Sequence, residues 1–227
     1  FEQQKTSLIE KSEEEFYIYI DFDMFFVSCE LVRDPALRGL PVVVGKGVVA
    51  SASYEARAFG IHSGMPLFRA SESCPGLRAI VPDMSYYHEV SSKAWKIISK
   101  YDSEFCQKGI DEGYIKVSVG LENADTEAQE LTKRIFDEVY GSLGITFSVG
   151  ISYNPMLAKM CSSVNKPKGV HQLRKNIRDV KAFLDDLTID KLIGIGNINK
   201  YVLNGLGIYK VRDFWEHGWK CYACYTE

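Results

Sequence analysis

Two pairs of acidic residues interrupt apolar stretches of this sequence, about ninety positions apart. Asp21 and Asp23 lie at the end of FYIYIDFD, whose aromatic and β-branched content predicts a strand. Asp111 and Glu112 lie within GIDEGYIKV. A carboxylate buried without a partner costs several kcal/mol. We therefore expect a folded sheet to bring the two pairs together, so that they share divalent cations.

This clustering of carboxylates suits hard cations such as Mg²⁺, which commonly use one or two carboxylates together with substrate phosphates. The pattern predicts a two-metal site for phosphoryl transfer. The alternative is a group of acids at a solvated strand end. Adjacent residues of a regular strand point to opposite faces. Asp111 and Glu112 can therefore converge only at a strand end or a bend, which Gly109 and Gly113 could permit.

Composition sets broad limits on the class of protein. The 227 residues, 46% of them hydrophobic, can build one large or two to three small domains with real cores. No apolar run approaches the roughly 20 residues of a membrane helix, and no secretory signal is recognisable, so we expect an intracellular protein. The six cysteines lie mostly in apolar stretches, which favours reduced, buried thiols. The net charge of −3 argues mildly against nucleic-acid binding, but the acidic residues 1–15 account for it.

Hydrophobic periodicity predicts an α+β organisation with an antiparallel sheet and helices on one face. The predicted elements are a strand at 16–22, a helix at 85–101, a strand at 110–119, a helix at 125–141, a strand at 144–152, and a helix with Asn154 as N-cap and Pro155 at its first position. Residues 33–83 are rich in turn signals and predict a small insertion with its own compact fold. For residues 1–15 we predict a loose tail or a helix docked elsewhere. After about residue 173 we predict that the chain is helical.

Five motifs follow one another along the chain. They are YIDFDMFF at 19–26, ASYEARAFG at 52–60, IDE at 110–112, VGIS at 149–152 with LAK at 157–159, and NKPKG at 165–169. In this order they resemble the motifs of the Y-family translesion DNA polymerases. The sequence around residues 101–102, 156–161 and 165–167 looks closest to the polymerase kappa (DinB-like) branch. The resemblance covers residues 16 to about 215.

The resemblance implies a low-fidelity, template-directed DNA polymerase, which is a nucleotidyltransferase. The implied domains are a ferredoxin-like palm at 16–24 and 84–172, a small fingers insertion at 25–83, and a helical thumb at 173–227, preceded by the tail at 1–15. The family normally adds a C-terminal little finger that grips DNA. We expect that domain to be absent here, which makes the chain either a catalytic-core fragment or an unusually short protein.

The same resemblance implies the metal ligands. Asp21, Asp111 and Glu112 would be the catalytic residues that hold two Mg²⁺ ions, for which Mn²⁺ could substitute. The backbone carbonyl of Phe22 would complete the shell of one ion. Asp23 shares the face of Asp21 but matches a position that is not a primary ligand, so we expect it to have a structural role.

The resemblance also implies a nucleotide site. Tyr54, Arg57 and Lys159 would contact the triphosphate of the incoming dNTP, with Ser51 as a hydroxyl donor beside them. Taken alone, a Tyr-x-x-Arg pair is usually an ordinary helix face. Phe26 matches a bulky residue that would exclude a ribose 2′-hydroxyl, and core packing is the alternative for it.

Two further predictions concern contacts with the templating base and with the DNA backbone. Val48 and Met65 would cover the templating base. In LIGIG at 192–196, which resembles a helix-hairpin-helix, Gly194 and Gly196 would turn backbone N–H groups toward a DNA phosphate. Lys200 would add a phosphate contact, as would Lys210. The alternative is a Gly-rich turn between two helices.

The spacing of His217, Cys221 and Cys224 resembles a zinc site only superficially, because a structural zinc site needs a second pair of ligands. A packed final helix is favoured. Two positions depart from the family pattern: Gly109 replaces the usual serine, and Lys116 occupies a position that is often acidic or amide-bearing. Neither departure removes a metal ligand.

Two other functions remain open on the sequence alone. One is a non-catalytic DNA-binding scaffold at stalled forks, against which the clustered carboxylates argue. The other is a nucleotidyl cyclase, against which the bulky Phe26 and the hairpin argue. The resemblance implies primer–template DNA and dNTP as partners, a monomer, a nuclear location and no membrane association. A sliding clamp or another polymerase would be a further partner, but we find no motif for it.

Overall fold

The computed structural model describes residues 13–120 and 124–225, with side chains for 15–118 and 126–220. Its strands are β1 (Glu13–Phe22), β2 (Val42–Lys46), β3 (Val48–Ala52), β4 (Arg78–Ile80), β5 (Cys106–Gln107), β6 (Glu112–Gly120), β7 (Phe147–Ser152) and β8 (Val170–Gln172). Its α-helices are α1 (Phe25–Arg33), α2 (Tyr54–Arg57), α3 (Leu67–Ser73), α4 (Met84–Ile98), α5 (Ala124–Leu143), α6 (Pro155–Ser162), α7 (Ile177–Asp186), α8 (Asn197–Gly205) and α9 (Asp213–Tyr225). None of the described helices is long and apolar enough to cross a membrane.

The larger sheet has five strands in the order β5-β6-β1-β7-β8. All of its neighbouring strands are antiparallel except β7 and β8, which are parallel. Strand β1 therefore lies in the middle, with β6 on one side and β7 on the other. This central position places the first acidic pair beside the start of β6, where the second acidic pair lies.

One face of this sheet carries the main hydrophobic core. Along β1, Phe16, Ile18, Ile20 and Phe22 are all buried, as the two-residue period of a strand requires. Helices α4 and α5 cover this face and contribute buried residues to the same core. Burying one such large apolar side chain contributes about 1.5–3 kcal/mol. The predicted α+β layer is confirmed.

Helix α6 covers the opposite face of this sheet. Helices therefore lie on both faces, and not on one face only as we predicted. Gly150 in β7 allows the close approach of α6. A Cβ atom at this glycine would lie 1.9 Å from the carbonyl oxygen of Ala158 and 2.4 Å from the amide nitrogen of Ser162. Periodicity alone could not reveal this, because α6 is short and its two faces are both partly buried.

The smaller sheet has the order β3-β2-β4, in which β2 pairs antiparallel with β3 and parallel with β4. Helices α2 and α3 pack beside it around a small core that includes Val43, Val49 and Ile61. The core of residues 33–83 is not fully separate, since Val42 and Val44 on the other side of β2 belong to the main core. Helix α1 joins the two parts.

The C-terminal residues form α7, α8 and α9, as the sequence predicts. Val180 packs against α6, and Leu203 packs with Ile189 and Ile208 in a separate small cluster. His217 lies in α9, whereas the side chains of Cys221 and Cys224, and with them the zinc alternative, lie outside the described residues.

Predicted element positions are confirmed with small shifts, and one boundary is corrected. Strand β1 starts at Glu13, inside the predicted tail, because these residues pair with the end of β6. The pairing includes an ion pair between Glu15 and Lys116. The rest of the predicted tail, residues 1–12, lies outside the described residues. Asn154 caps α6 as predicted, accepting bonds from the amides of Met156 and Leu157 at 2.8 and 3.2 Å.

Candidate active site

The two acidic pairs meet at one end of the larger sheet. Asp21 in β1 and Glu112 in β6 are direct cross-strand partners, and both point away from the main core. Asp111 lies in a bend just before β6, and its carbonyl oxygen accepts a 2.9 Å hydrogen bond from the amide of Phe22. The strand-end position lets consecutive carboxylates converge, which a regular strand would prevent.

Only one of the two glycines beside these acids lies in the predicted bend. The bend falls at residues 109–111, whereas Gly113 lies within β6. A Cβ atom at Gly113 would come within 2.5 Å of the Trp95 ring and 2.6 Å of the Cys106 carbonyl oxygen. Gly113 is therefore required by close packing. At Gly109 an added Cβ atom would meet its nearest neighbours at 3.5 Å, an ordinary contact distance.

The site carries more negative charge than its surroundings readily solvate. Burial raises the pKa of Asp21, and the adjacent Lys166 opposes that rise. Burial also raises the pKa of Asp111, and the charge of Glu112 adds to the effect. Lys166 forms an ion pair with Asp21, and Lys159 forms one with Glu112 at 2.5 Å. The two lysines thus compensate two of the three carboxylates.

The donor set fits a hard cation. Three carboxylates and the Phe22 backbone lie together without a sulfur or imidazole ligand, which is the oxygen-rich composition that Mg²⁺ prefers. Among the described residues, no group of three or more acidic, histidine or cysteine side chains is already arranged around a metal position. Lys166 and Lys159 each pair with one of these carboxylates.

A cleft of about 160 Å³ opens beside the acids. Its lining comes from both sheets and from the loop after α6: Asp21, Phe22, Met24, Phe25, Phe26, Ala50, Ser51, Arg57, Ser63, Asp111 and Lys166. The cleft thus combines two carboxylates with two cations and three phenylalanines. Such a combination can bind an anionic ligand next to a metal site.

Asp23 has the structural role that the sequence predicts. It is 1% exposed. Its carboxylate accepts hydrogen bonds from the hydroxyls of Ser148 at 2.7 Å and Thr146 at 3.0 Å, and from the amide of Lys168 at 3.0 Å. The carboxylate joins β1, β7 and the loop after α6. It therefore fixes that loop relative to the acidic pairs.

Tyr54 and Arg57 lie in the short helix α2, as predicted. The Arg57 side chain lines the cleft, and its Nε donates to the carbonyl oxygen of Ala52 at 3.1 Å. The hydroxyl of Tyr54 lies 3.5 Å from Asp23 Oδ1, and Arg57 lies 5.2 Å from the Tyr54 ring centroid. Ser51 lines the same cleft.

Phe26 also lines the cleft, near Asp21 and Asp111. Its ring is partly buried against the main core. Val48 is exposed at the edge of the smaller sheet, whereas Met65 packs partly buried against the small core. The structure therefore places Phe26 at the cleft and the other two in the insertion beside it.

Lys166 lies within the NKPKG motif, but no role was predicted for it. The structure places Lys166 in the cleft and against Asp21, while Lys159 contacts Glu112 and lies 5.4 Å from the Tyr19 ring centroid. The available signal was the position of Lys166 just before Pro167, four residues after α6 ends. Without the fold, that signal does not say which lysine faces the cleft.

The predicted hairpin lies between a short 3₁₀ helix at Ile189–Lys191 and α8. Gly194 has a φ of 94°, a conformation that favours glycine, and Gly196 precedes the first residue of α8. Lys200 lies 3.5 Å from Asp190, and Lys210 lies 3.8 Å from Asp186. Gly196 is extended, so only Gly194 uses the conformational freedom of glycine here, and the predicted phosphate contact stays a prediction.

Residues 20–163 match the impB/mucB/samB family (IMS). This match covers more than half of the chain, and the chain belongs to that family. The resemblance to the polymerase kappa and DinB-like branch is confirmed by similar proteins. DNA polymerase IV of Clostridium perfringens (strain ATCC 13124) is 37% identical over 204 residues, which cover 86% of this chain and 55% of the relative. DNA polymerase kappa of Arabidopsis thaliana is 31% identical over 213 residues, which cover 93% of this chain and 32% of the relative.

Solved structures agree with this assignment. A crystal structure of DinB from Sulfolobus solfataricus has a TM-score of 0.77 and 32% sequence identity, and the match covers 88% of this chain and 60% of that one. An insertion ternary complex of Dbh DNA polymerase gives the same TM-score, identity and coverage. The chain spans less than two thirds of the length of these relatives.

Proposed function

We propose that this chain is the catalytic part of a template-directed DNA polymerase of the translesion type. It would transfer a nucleotide from a dNTP to a primer 3′-hydroxyl with release of pyrophosphate. The observation that carries the proposal is the cross-strand pair of Asp21 and Glu112, with Asp111 beside them at a cleft that also contains Arg57 and Lys166. The names of the similar proteins support the same activity.

Asp21, Asp111, Glu112 and the carbonyl oxygen of Phe22 would hold two Mg²⁺ ions, for which Mn²⁺ could substitute. Bound Mg²⁺ would supply a lower pKa for the primer hydroxyl and charge compensation for the phosphates. The chain's own contribution is to hold these carboxylates at one strand end. Burial raises the pKa values of Asp21 and Asp111, and the neighbouring carboxylates add to the rise, so a bound cation would offset the cost of keeping these groups charged.

Arg57 and Lys166 would bind the triphosphate of the incoming dNTP. Both side chains line the cleft beside the carboxylates. The Nε of Arg57 donates to a backbone carbonyl and orients the guanidinium, whose other N–H groups can reach phosphate oxygens. Lys166 would leave Asp21 as the metal and the phosphates enter. Tyr54 and Lys159 remain predicted triphosphate contacts, with Ser51 as a hydroxyl donor.

Phe26 would act as a steric gate against ribonucleotides. Its ring forms part of the cleft wall near both Asp21 and Asp111, where the sugar of a nucleotide bound through its phosphates would lie. Val48 and Met65 would cover the templating base from the insertion. Loose covering of that base would permit the low fidelity of a translesion enzyme.

The predicted domain division is part of this proposal. The larger sheet with α4–α6 would be the palm, the smaller sheet with α1–α3 the fingers, and α7–α9 the thumb. Gly194 and Gly196 would present backbone N–H groups to a primer–template phosphate, with Lys200 nearby. These contacts would give register on DNA without reading its sequence.

Single-nucleotide primer extension with Mg²⁺ tests the proposed activity. We expect the unaltered chain to add the templated nucleotide, and the double variant Asp111→Ala/Glu112→Ala to lose at least about a hundredfold of that rate. The matched control is Glu127→Ala/Glu130→Ala, which removes two exposed carboxylates of α5. We expect the control to extend normally.

Two outcomes would contradict the proposal. Equal extension by the unaltered chain and the Asp111/Glu112 variant would place the reaction elsewhere. Absence of templated extension by the unaltered chain, at low salt and high protein concentration, would show that these 227 residues are not catalytic by themselves.

A further inference from the structure

The ring of Phe26 lies against a second aromatic ring. One side of Phe26 belongs to the cleft wall. The ring also stacks on Tyr87 of α4, with centroids 4.6 Å apart and an angle of 14° between the planes. Stacked aromatic rings in contact attract each other beyond the effect of the apolar area that they bury. Tyr87 therefore restrains the Phe26 ring from within the core.

Tyr87 is itself held in one position. It is fully buried, and its hydroxyl donates a 2.7 Å hydrogen bond to Glu30 Oε1. Burial raises the pKa of Tyr87, so the hydroxyl keeps its proton and remains a donor. Glu30 is 4% exposed and lies four residues after Phe26 in α1, on the same side of that helix. Tyr87 thus contacts α1 at two points one turn apart.

The next turn of α4 contacts the acidic pair. Ser91, four residues after Tyr87, donates a 2.5 Å hydrogen bond to the carbonyl oxygen of Ile110, the residue before Asp111. Gln107 donates to the carbonyl oxygen of Gly109 in the same bend at 2.8 Å. One face of α4 therefore supports both the cleft wall and the loop that carries Asp111.

We propose that Tyr87 is a positioning residue that sets discrimination against ribonucleotides by holding the ring of Phe26 in the cleft wall. This inference rests on the proposed function and extends it to a residue outside the cleft. A gate excludes a 2′-hydroxyl only when it cannot retreat, and the space behind Phe26 is filled by the Tyr87 ring. A smaller side chain at position 87 would leave room behind Phe26.

Equilibrium binding of dCTP and CTP tests this inference. The chain is bound to a primer–template with a 3′-dideoxy primer and a templating guanine, in Mg²⁺, so that no chemistry follows. We expect the unaltered chain to prefer dCTP. In Tyr87→Leu the ratio of the two dissociation constants should fall by roughly tenfold, the lower range of what one misfitted group contributes in a pocket. The change should come mainly from tighter CTP binding.

Two further variants separate positioning from general stability. Tyr87→Phe keeps the ring behind Phe26 and should keep most of the preference for dCTP, although it loses the bond to Glu30. Phe136→Leu removes an aromatic ring from the same core, where it packs against Phe147 and Tyr140. We expect Phe136→Leu to lower thermal stability and leave the preference unchanged.

The inference is overturned if Tyr87→Leu keeps the full preference for dCTP, or if Phe136→Leu loses it equally. It is also overturned if the unaltered chain shows no preference or binds neither nucleotide. A chain that prefers dCTP in this assay but fails to extend an ordinary primer would contradict the proposed activity alone. The two failures are therefore distinguishable.

Discussion

Lys166 forms an ion pair with Asp21, although 145 positions separate them in the sequence. Their side chains are only 25% and 21% exposed, so the pair is less screened by solvent than a surface pair. The loop after α6 brings Lys166 to this position, and the bond from the amide of Lys168 to Asp23 holds that loop in place. The same cation that compensates Asp21 thus lies where an anionic ligand would enter.

The two lysines of the site should differ in their effect on nucleotide use. We expect Lys166→Ala to lower kcat/KM for dNTP by about ten- to a hundredfold, the value of one charge-assisted hydrogen bond. Lys159→Ala should have a smaller effect, because Lys166 lines the cleft and Lys159 does not. Steady-state primer extension with varied dNTP measures both. A larger loss in Lys159→Ala than in Lys166→Ala would contradict this order.

Asp111 should reduce the stability of the metal-free protein at neutral pH. The pKa of the Asp111 carboxyl is 3.8 in the unfolded chain and higher in the folded protein. At a pH between these two values, the folded state binds more protons than the unfolded state. Stability therefore falls as pH rises through that window. In EDTA at pH 7, Asp111→Asn should be more stable by about 1 kcal/mol. Urea denaturation measures this difference.

The pH dependence supplies the control for that measurement. Below pH 3.8 the carboxyl is protonated in both states, so the advantage of Asp111→Asn should disappear. Added Mg²⁺ should stabilise the unaltered chain more than the variant, because a ligand of the folded state stabilises it by mass action. An advantage that persists unchanged at low pH would assign the effect to packing instead of charge.

Asp23 should contribute much more to the free energy of unfolding than an exposed acidic residue does. Asp23→Ala would leave the hydroxyls of Ser148 and Thr146 and the amide of Lys168 without their acceptor. We expect a loss of about 3 kcal/mol in the free energy of unfolding. Glu72→Ala, an exposed position in α3, should change it by less than about 0.5 kcal/mol. Similar denaturation midpoints for both variants would contradict the structural role.

Two glycine substitutions should have opposite outcomes. Gly150→Ala would place a Cβ atom 1.9 Å from the backbone of α6, so we expect a loss of more than about 3 kcal/mol or failure to fold. Gly109→Ser introduces the residue that the resemblance implies at this position. Its added Cβ has no neighbour closer than 3.5 Å, so stability should change by less than about 0.5 kcal/mol. Thermal denaturation compares the two variants. Strong destabilisation in Gly109→Ser would contradict the conclusion that position 109 has room for a side chain.

Local patterns predicted much of the chain correctly. The N-cap at Asn154, the strand that ends at Phe22, and the helices at 84–98 and 124–143 all follow from periodicity and capping residues. The short strands β5 and β8 were not predicted, because two or three residues carry no detectable period. The convergence of Asp111 and Glu112 at a strand end was predicted from strand geometry.

The sequence by itself determined which residues are available for chemistry and which stretches become strands and helices, because these depend on residue type and short-range spacing. Only the tertiary structure decided that α6 covers the second face of the sheet, that Lys166 rather than Lys159 lines the cleft, and that Tyr87 lies behind Phe26. These relationships join residues that are distant in the chain. They depend on strand order and on how closely the backbones can approach, which no local pattern specifies.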